Sequence, residues 1–251
     1  MKNKKSKYDL IRIFRVFGAA GIVVILFFSI KYKSNLIVNK VNINIESQTK
    51  QKLIDEHDIL KYLNKSLGKD LEIVKINDVD IKKIEKLLNK SHFIENSNVY
   101  LDSKNRLNIK CVLKKPIVRV HRENSKDFYI DINGDPVPFS KRATVRVPII
   151  TGNTARIQIN KKEDSEYMKL WKLARSINDD AFLSALIEQI DIQQNGEILL
   201  VPKLGKQKIE FGDLVNSENK LKKVKAFYQS EMKKTGWNKF KKLSVKWDGQ
   251  I

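Results

Sequence analysis

The chain has 251 residues, with 49 Lys plus Arg against 29 Asp plus Glu and a formal net charge of +20. With 41% hydrophobic residues, three Trp, seven Tyr and eleven Phe, it can pack one or two domains, which excludes a chain dominated by low-complexity disorder. Cys111 is the only cysteine, which excludes an intrachain disulfide.

Basic residues open the chain: Lys2, Lys4, Lys5, Lys7, Arg12 and Arg15. Val16 to Ile30 then runs 15 residues without a charge, and Lys31 and Lys33 close it. A helix of that length covers about 22 Å of a hydrocarbon core about 30 Å thick. Extended to residues 11–32 it reaches bilayer length, because Arg12, Arg15 and Lys31 can send their charges to the interface. A cleaved signal peptide would end in small residues, but Phe27-Phe28-Ser29-Ile30-Lys31-Tyr32 stands there, so an uncleaved anchor is the favoured reading. The basic excess on the N-terminal side keeps residues 1–10 cytoplasmic and sends the C-terminal bulk across a bilayer.

Behind this segment Val41, Ile43 and Ile45 alternate with polar residues, the pattern of a half-buried strand. Glu56 to Leu67 carries Ile59, Leu60, Leu63 and Leu67 at helical spacing, and Gly68 is a natural stop. Leu71 to Ile76 reads as an extended link. Asn77 or Asp78 can cap a second helix with Ile81, Ile84, Leu87 and Leu88 on its apolar face. Ile94–Leu101 and Arg106–Leu113 flank the polar turn Asp102-Ser103-Lys104-Asn105, a β-hairpin. The order strand, helix, helix, strand, strand suits two helices on one face of a three-stranded sheet.

From Ile117 the character turns to β. Phe128–Ile132 precedes Asn133-Gly134, a strong hairpin signal. One helix is expected near Glu163 to Ile177, strands at Ile187–Gln193, Glu197–Pro202 and Lys206–Phe211, and a long helix from Ser217 to Thr235 ended by Gly236. A last strand, Phe240 to Trp247, places Leu243, Val245 and Trp247 on one face. No internal repeat is present. The fold class expected is therefore α+β.

Chemistry is sparse. His57, His92 and His121 lie in separate elements without ligand spacing, so no metal site is expected. Asp131-Ile132-Asn133-Gly134-Asp135 superficially resembles a calcium loop, but it lacks the twelve-residue pattern and the closing Glu. Gly-rich phosphate loops and a Gly-x-Ser-x-Gly motif are absent. Cys111 alternates with Leu107, Ile109 and Leu113 and reads as a core residue, not a nucleophile. No catalytic residue, cofactor or enzymatic activity is expected. The exported part keeps about +13 of the charge. Nucleic acid, anionic headgroups or an acidic partner would account for that, as would a plain Lys-rich composition; the scattered lysines favour the last, and no nucleic-acid partner is expected. A C-terminal strand with a free edge could accept a partner strand, with Trp247 as anchor. The alternative, Trp247 packed in its own core, stands open on pattern alone.

The layout resembles the bacterial cell-division family FtsQ/DivIB, in a Bacteroidetes-like form, over essentially the full chain. Phe93–Val99 looks like the entry to a POTRA hairpin, and Leu113-Lys114-Lys115-Pro116-Ile117-Val118 is similar to the segment joining two domains, although Lys114 and Lys115 stand where an acidic residue is common. Asp127–Asp131 with Gly134, Val147–Gly152, Phe227-Tyr228, Gly236-Trp237 and Leu243–Ile251 look like the opening and close of the family's β-domain. The resemblance implies a cytoplasmic tail at 1–10, a transmembrane helix at 11–32, a POTRA domain (β-α-α-β-β) at 36–115 and a mixed α/β "β-domain" at 116–251 ending in an edge strand. It also implies a non-enzymatic divisome scaffold, single-pass in the cell inner membrane and enriched at the septum. Its expected partners are FtsB/DivIC-like and FtsL-like proteins, bound through Leu243, Val245 and Trp247, and the lipid bilayer. The alternatives are a POTRA-bearing export or assembly component of the envelope and a membrane-tethered envelope enzyme.

Overall fold

The computed structural model describes residues 15, 17–26, 36–159, 162–163, 165–236 and 240–247. Its first helix, α1 (17–26), is apolar and exposed, with Phe17 73%, Ile22 61% and Ile25 69% accessible. No helix among the described residues is long and apolar enough to cross a membrane. Residues 11–14, 16 and 27–32 of the expected 11–32 span, and the tail 1–10, lie outside the described residues.

The chain divides into two compact units. One takes in residues up to Ile45, Glu56–Lys90 and Asn96–Cys111; the other takes in Glu46–Asp55, Ser91–Glu95 and everything from Val112. In the first, β1 (Lys40–Glu46), α2 (Glu56–Leu67), α3 (Ile81–Asn89), β2 (Ile94–Leu101) and β3 (Arg106–Leu113) follow in chain order, and the three strands pair as β1-β3-β2. The helical spacing delivers Ile59, Leu63, Ile84 and Leu88 to the interior, and the strand alternation delivers Val99, Leu107, Ile109 and Cys111. The cap of α3 is Asp80, whose carboxylate accepts from the Lys83 amide at 2.9 Å. Asn77 and Asp78, expected as caps, instead lie in a short 3-10 turn at Ile76–Asp78. Burial pushes the Cys111 thiol up to about 11, so it stays protonated, as a core residue should.

The second unit is built on an eight-stranded mixed sheet of order β11-β10-β9-β8-β7-β4-β5-β6. Its strands are β4 (Pro116–Val120), β5 (Phe128–Asp131), β6 (Pro136–Pro138), β7 (Ile149–Gly152), β8 (Ile187–Ile192), β9 (Ile198–Pro202), β10 (Lys208–Gly212) and β11 (Lys242–Ser244). Its helices are α4 (Glu166–Asp179), α5 (Ala181–Leu186) and α6 (Ser217–Thr235). Val118, Val120, Ile150, Ile190, Leu200, Ile209 and Phe211 join Leu170, Leu173, Leu221, Val224 and Tyr228 in one buried cluster. Helix α5 is absent from the sequence expectation; Asp180 starts it by accepting from the amides of Phe182 and Leu183 at 2.9 and 3.0 Å, a cap of about 1 kcal/mol.

The Asn133-Gly134 hairpin is fastened from both sides. Asp131 Oδ1 accepts from the amides of Asn133 (2.9 Å) and Asp135 (2.7 Å). Tyr167 Oη of α4 donates to the Gly134 carbonyl at 2.9 Å, and Trp171 Nε1 donates to the Asp131 carbonyl at 3.2 Å. Gly134 sits at φ 79°, a conformation that favours glycine, and a Cβ there would lie in van der Waals contact with the Trp171 ring at 3.4 Å. The other Asp131 oxygen is buried without a hydrogen bond, with Lys114 Nζ at 3.9 Å. Burial raises the Asp131 carboxyl above its ordinary range.

Candidate functional site: the two edges of the large sheet

A strand at the end of a sheet keeps one row of backbone donors and acceptors unpaired. The large sheet has two such ends, β6 and β11. At β6 the register pairs Tyr129 with Val137 and Ile130 with Pro136. The Asp131 amide donates to the Asp135 carbonyl at 2.9 Å. Antiparallel alternation then makes Tyr129 and Val137 a hydrogen-bonded pair and turns the nitrogens of Pro136 and Pro138 outward. Neither carries a hydrogen, so this edge has no donors to offer there.

The opposite edge is assembled by α6 and its exit. Gly236 ends α6 at φ 83°, ψ 160°, and its amide donates to the Met232 carbonyl at 3.1 Å. Beyond it Phe240 meets Phe227 edge to face at 5.3 Å. β11 then runs parallel to β10, with Ile209 opposite Leu243. The Lys208 amide donates to the Lys241 carbonyl (3.1 Å) and the Val245 amide donates to the Glu210 carbonyl (3.0 Å). Residues 241, 243 and 245 therefore face β10, and the N–H and C=O groups of Lys242 and Ser244 point away from it. No proline interrupts this strand.

The three residues singled out in the sequence separate here. Leu243 (4% exposed) and Val245 (buried) point into the main core. They hold the edge strand in place, and the outward backbone is that of Lys242 and Ser244 between and before them. Trp247 is 69% exposed; it lies past the end of β11 at Ser244, so strand alternation does not bury it with the other two.

Three lysines not singled out by the sequence fix the segment. Lys223 Nζ of α6 donates to the Trp247 carbonyl at 2.8 Å. Lys246 pairs with Glu197 at 2.6 Å and Lys242 with Glu210 at 3.0 Å. The Glu197 hydrogen bond raises Lys246, and the Lys246 hydrogen bond lowers Glu197, the mutual signature of an ion pair. The only sequence signal for these pairs was the lysine richness of residues 220–246, which names no partner.

Elsewhere the described residues hold no group of three His, Cys, Asp or Glu side chains fit for a metal. His121 Nδ1 lies 3.1 Å from Asp127 Oδ1. Asp127 also takes Arg119 Nε at 2.8 Å and the Arg122 amide at 3.2 Å, and although burial opposes it, these contacts hold the carboxyl below its ordinary value. This is a structural clasp on β4. A cleft of about 680 Å³ beside Arg119, Arg146, Glu188 and Lys203 is lined by no histidine or cysteine.

Comparison with known proteins agrees with this architecture. Residues 37–112 match the POTRA-like domain, and residues 115–251 match the FtsQ/DivIB, C-terminal related domain. No curated protein matches the chain. Since the second match spans more than half of the chain and follows a POTRA-like domain, the chain belongs to the FtsQ/DivIB family of non-enzymatic cell-division scaffolds.

Proposed function

We propose that this protein is a single-pass membrane scaffold of the divisome that binds FtsB/DivIC-like and FtsL-like partners through the β11 edge. The family membership supports a septal, membrane-associated division protein with division-protein partners in general. The observation that carries the finer reading is the outward backbone of Lys242 and Ser244, which no described strand pairs, beside the exposed Trp247. An extended partner segment would add as a further strand, taking affinity from main-chain hydrogen bonds and an aromatic anchor from Trp247. The anchor reading rests on residues 11–32, whose described part is the exposed apolar helix α1. The basic N-terminus then stays cytoplasmic, and domains at 36–115 and 116–251 lie outside the cytoplasm.

Trp247→Glu tests the interface. Its side chain is exposed, so folding stability changes by less than about 0.5 kcal/mol. Loss of an aromatic anchor costs about 2 kcal/mol, or about 30-fold in affinity for an FtsB-type peptide. Unchanged affinity with an intact fold removes Trp247 from the interface.

A further inference from the structure

In the POTRA-like unit the chain enters beside a small two-stranded ribbon. The Val38 amide donates to the Val74 carbonyl and the Ile76 amide to the Leu36 carbonyl, both at 2.9 Å. These bonds bracket Ile37 and Lys75 as a directly opposed pair, a geometry that sets their side chains close together on one face. One face of the ribbon is buried through Val38 (2%) and Val74 (8%). The other exposes Ile37 (52%) and, two residues before Lys75, Ile73 (70%). Among the described residues of this unit after α1, these are the strongly exposed aliphatic side chains. The β2–β3 turn joins the same end, because Asn39 Nδ2 donates to the Lys104 carbonyl at 2.8 Å.

Lys75 opposes Ile37, Lys104 lies on the turn that Asn39 holds, and Lys69 precedes Ile73 by four residues; all three are exposed. The acidic neighbours are Glu72, Asp70, Asp78 and Asp102; Asp70 is occupied by Asn64 Nδ2 (3.2 Å) and the Glu72 amide (3.1 Å), and Asp102 is paired with Arg106 at 2.7 Å. Exposed aliphatics flanked by lysines fit the boundary between acyl chains and anionic headgroups, where the aliphatics enter and the ammonium groups stay among phosphates. Position selects the occupant. Ile37 follows Tyr32, the end of the expected span, by five residue steps, and a fully extended chain of that length reaches at most about 18 Å. We infer that the Ile37–Ile73 patch with Lys69, Lys75 and Lys104 docks this unit onto the anionic lipid surface from which the chain emerges. The inference rests on the anchored reading proposed above.

The test uses the full chain in vesicles containing phosphatidylglycerol, with an environment-sensitive fluorophore on Ile73→Cys and, as a second reporter, on Ile37→Cys. Both side chains are exposed, so the fold tolerates the label, and Cys111, being buried, does not take it. Glu46→Cys, at the far end of β1 and about 20 Å along the strand, is the control. Docking predicts blue-shifted emission at residues 73 and 37, quenched several-fold more strongly by shallow lipid nitroxides than at residue 46. A chain that floats with the vesicles but reports residue 73 as wet as residue 46 overturns the docking and leaves the anchor standing. A shielded label that lipid nitroxides do not quench overturns it too, pointing to a protein contact. A chain that does not float overturns the anchor and the docking with it.

Discussion

The two ends of the large sheet are treated in opposite ways. β6 places Pro136 and Pro138 where backbone donors would point outward, and its turn is clamped by Tyr167 and Trp171. β11 presents the backbone of Lys242 and Ser244 without proline, held in place by the buried Leu243 and Val245 and by lysine ion pairs. Unprotected edges invite pairing with other chains, so proteins normally blunt them. A sheet that blunts one edge and has no described strand on the other makes that second edge the place for the proposed strand addition. The difference lies in backbone chemistry, and side-chain hydrophobicity alone would not reveal it.

The comparison can be broken at either edge. After Trp247→Glu, the largest effect is expected from Ser244→Pro, which removes an outward N–H and puts a ring in the path of an added strand. It should weaken binding of an FtsB-type peptide by about tenfold or more while the sheet stays folded, since the lost group faces away from β10. Equal binding would mean the edge is not the docking line. Gly236→Ala disturbs the delivery of the open edge: the space around a Cβ is empty, but the backbone there suits glycine alone. Unfolding in urea should show a loss of about 1 kcal/mol. Pro136→Ala with Pro138→Ala should open the closed edge, leaving stability within about 1 kcal/mol but adding concentration-dependent association, visible by analytical ultracentrifugation.

The smallest expected effect is in pH dependence, and its sign differs between the edges. Beside β6, Asp131 has its folded carboxyl raised above the ordinary 3.8 by burial. Between 3.8 and the raised value the folded state holds a proton that the unfolded chain has lost, so this contribution to stability grows as pH falls through that window. Asp131→Asn should therefore raise the melting temperature most at pH 7, with the gain shrinking toward pH 4. Beside β11, Glu197 is lowered below the ordinary 4.5 by its Lys246 hydrogen bond. Its contribution is present above 4.5 and is lost as pH falls through the folded value, so Glu197→Gln should cost a little at pH 7 and nothing in strong acid. Matching pH profiles for the two variants would contradict the assignment.

Local patterns were legible in the sequence wherever the controlling interactions are local. The spans Ile94–Leu101, Arg106–Leu113, Glu56–Leu67 and Ser217–Thr235 are the observed elements, because alternation, helical spacing and the glycines after each helix act within a few residues. The six-residue α5 was not legible, since AFLSAL has no span over which a period can build up. Nor was the parallel pairing of β7 with β4 and β8, which joins segments about 30 and 40 residues apart and depends on the whole sheet. At the site, alternation placed Leu243, Val245 and Trp247 on one face, yet the strand stops at Ser244 and Trp247 turns out to solvent. The contrast between β6 and β11 was present as Pro136 and Pro138, but their meaning required the register that turns those nitrogens outward.

The most direct measurement is residue-resolved amide hydrogen exchange of the full chain with and without an FtsB-type partner segment. The account predicts that the partner slows exchange at Lys242 and Ser244 and leaves the β6 segment unchanged. Protection elsewhere on the chain, with Lys242 and Ser244 exchanging as fast as before, would contradict it.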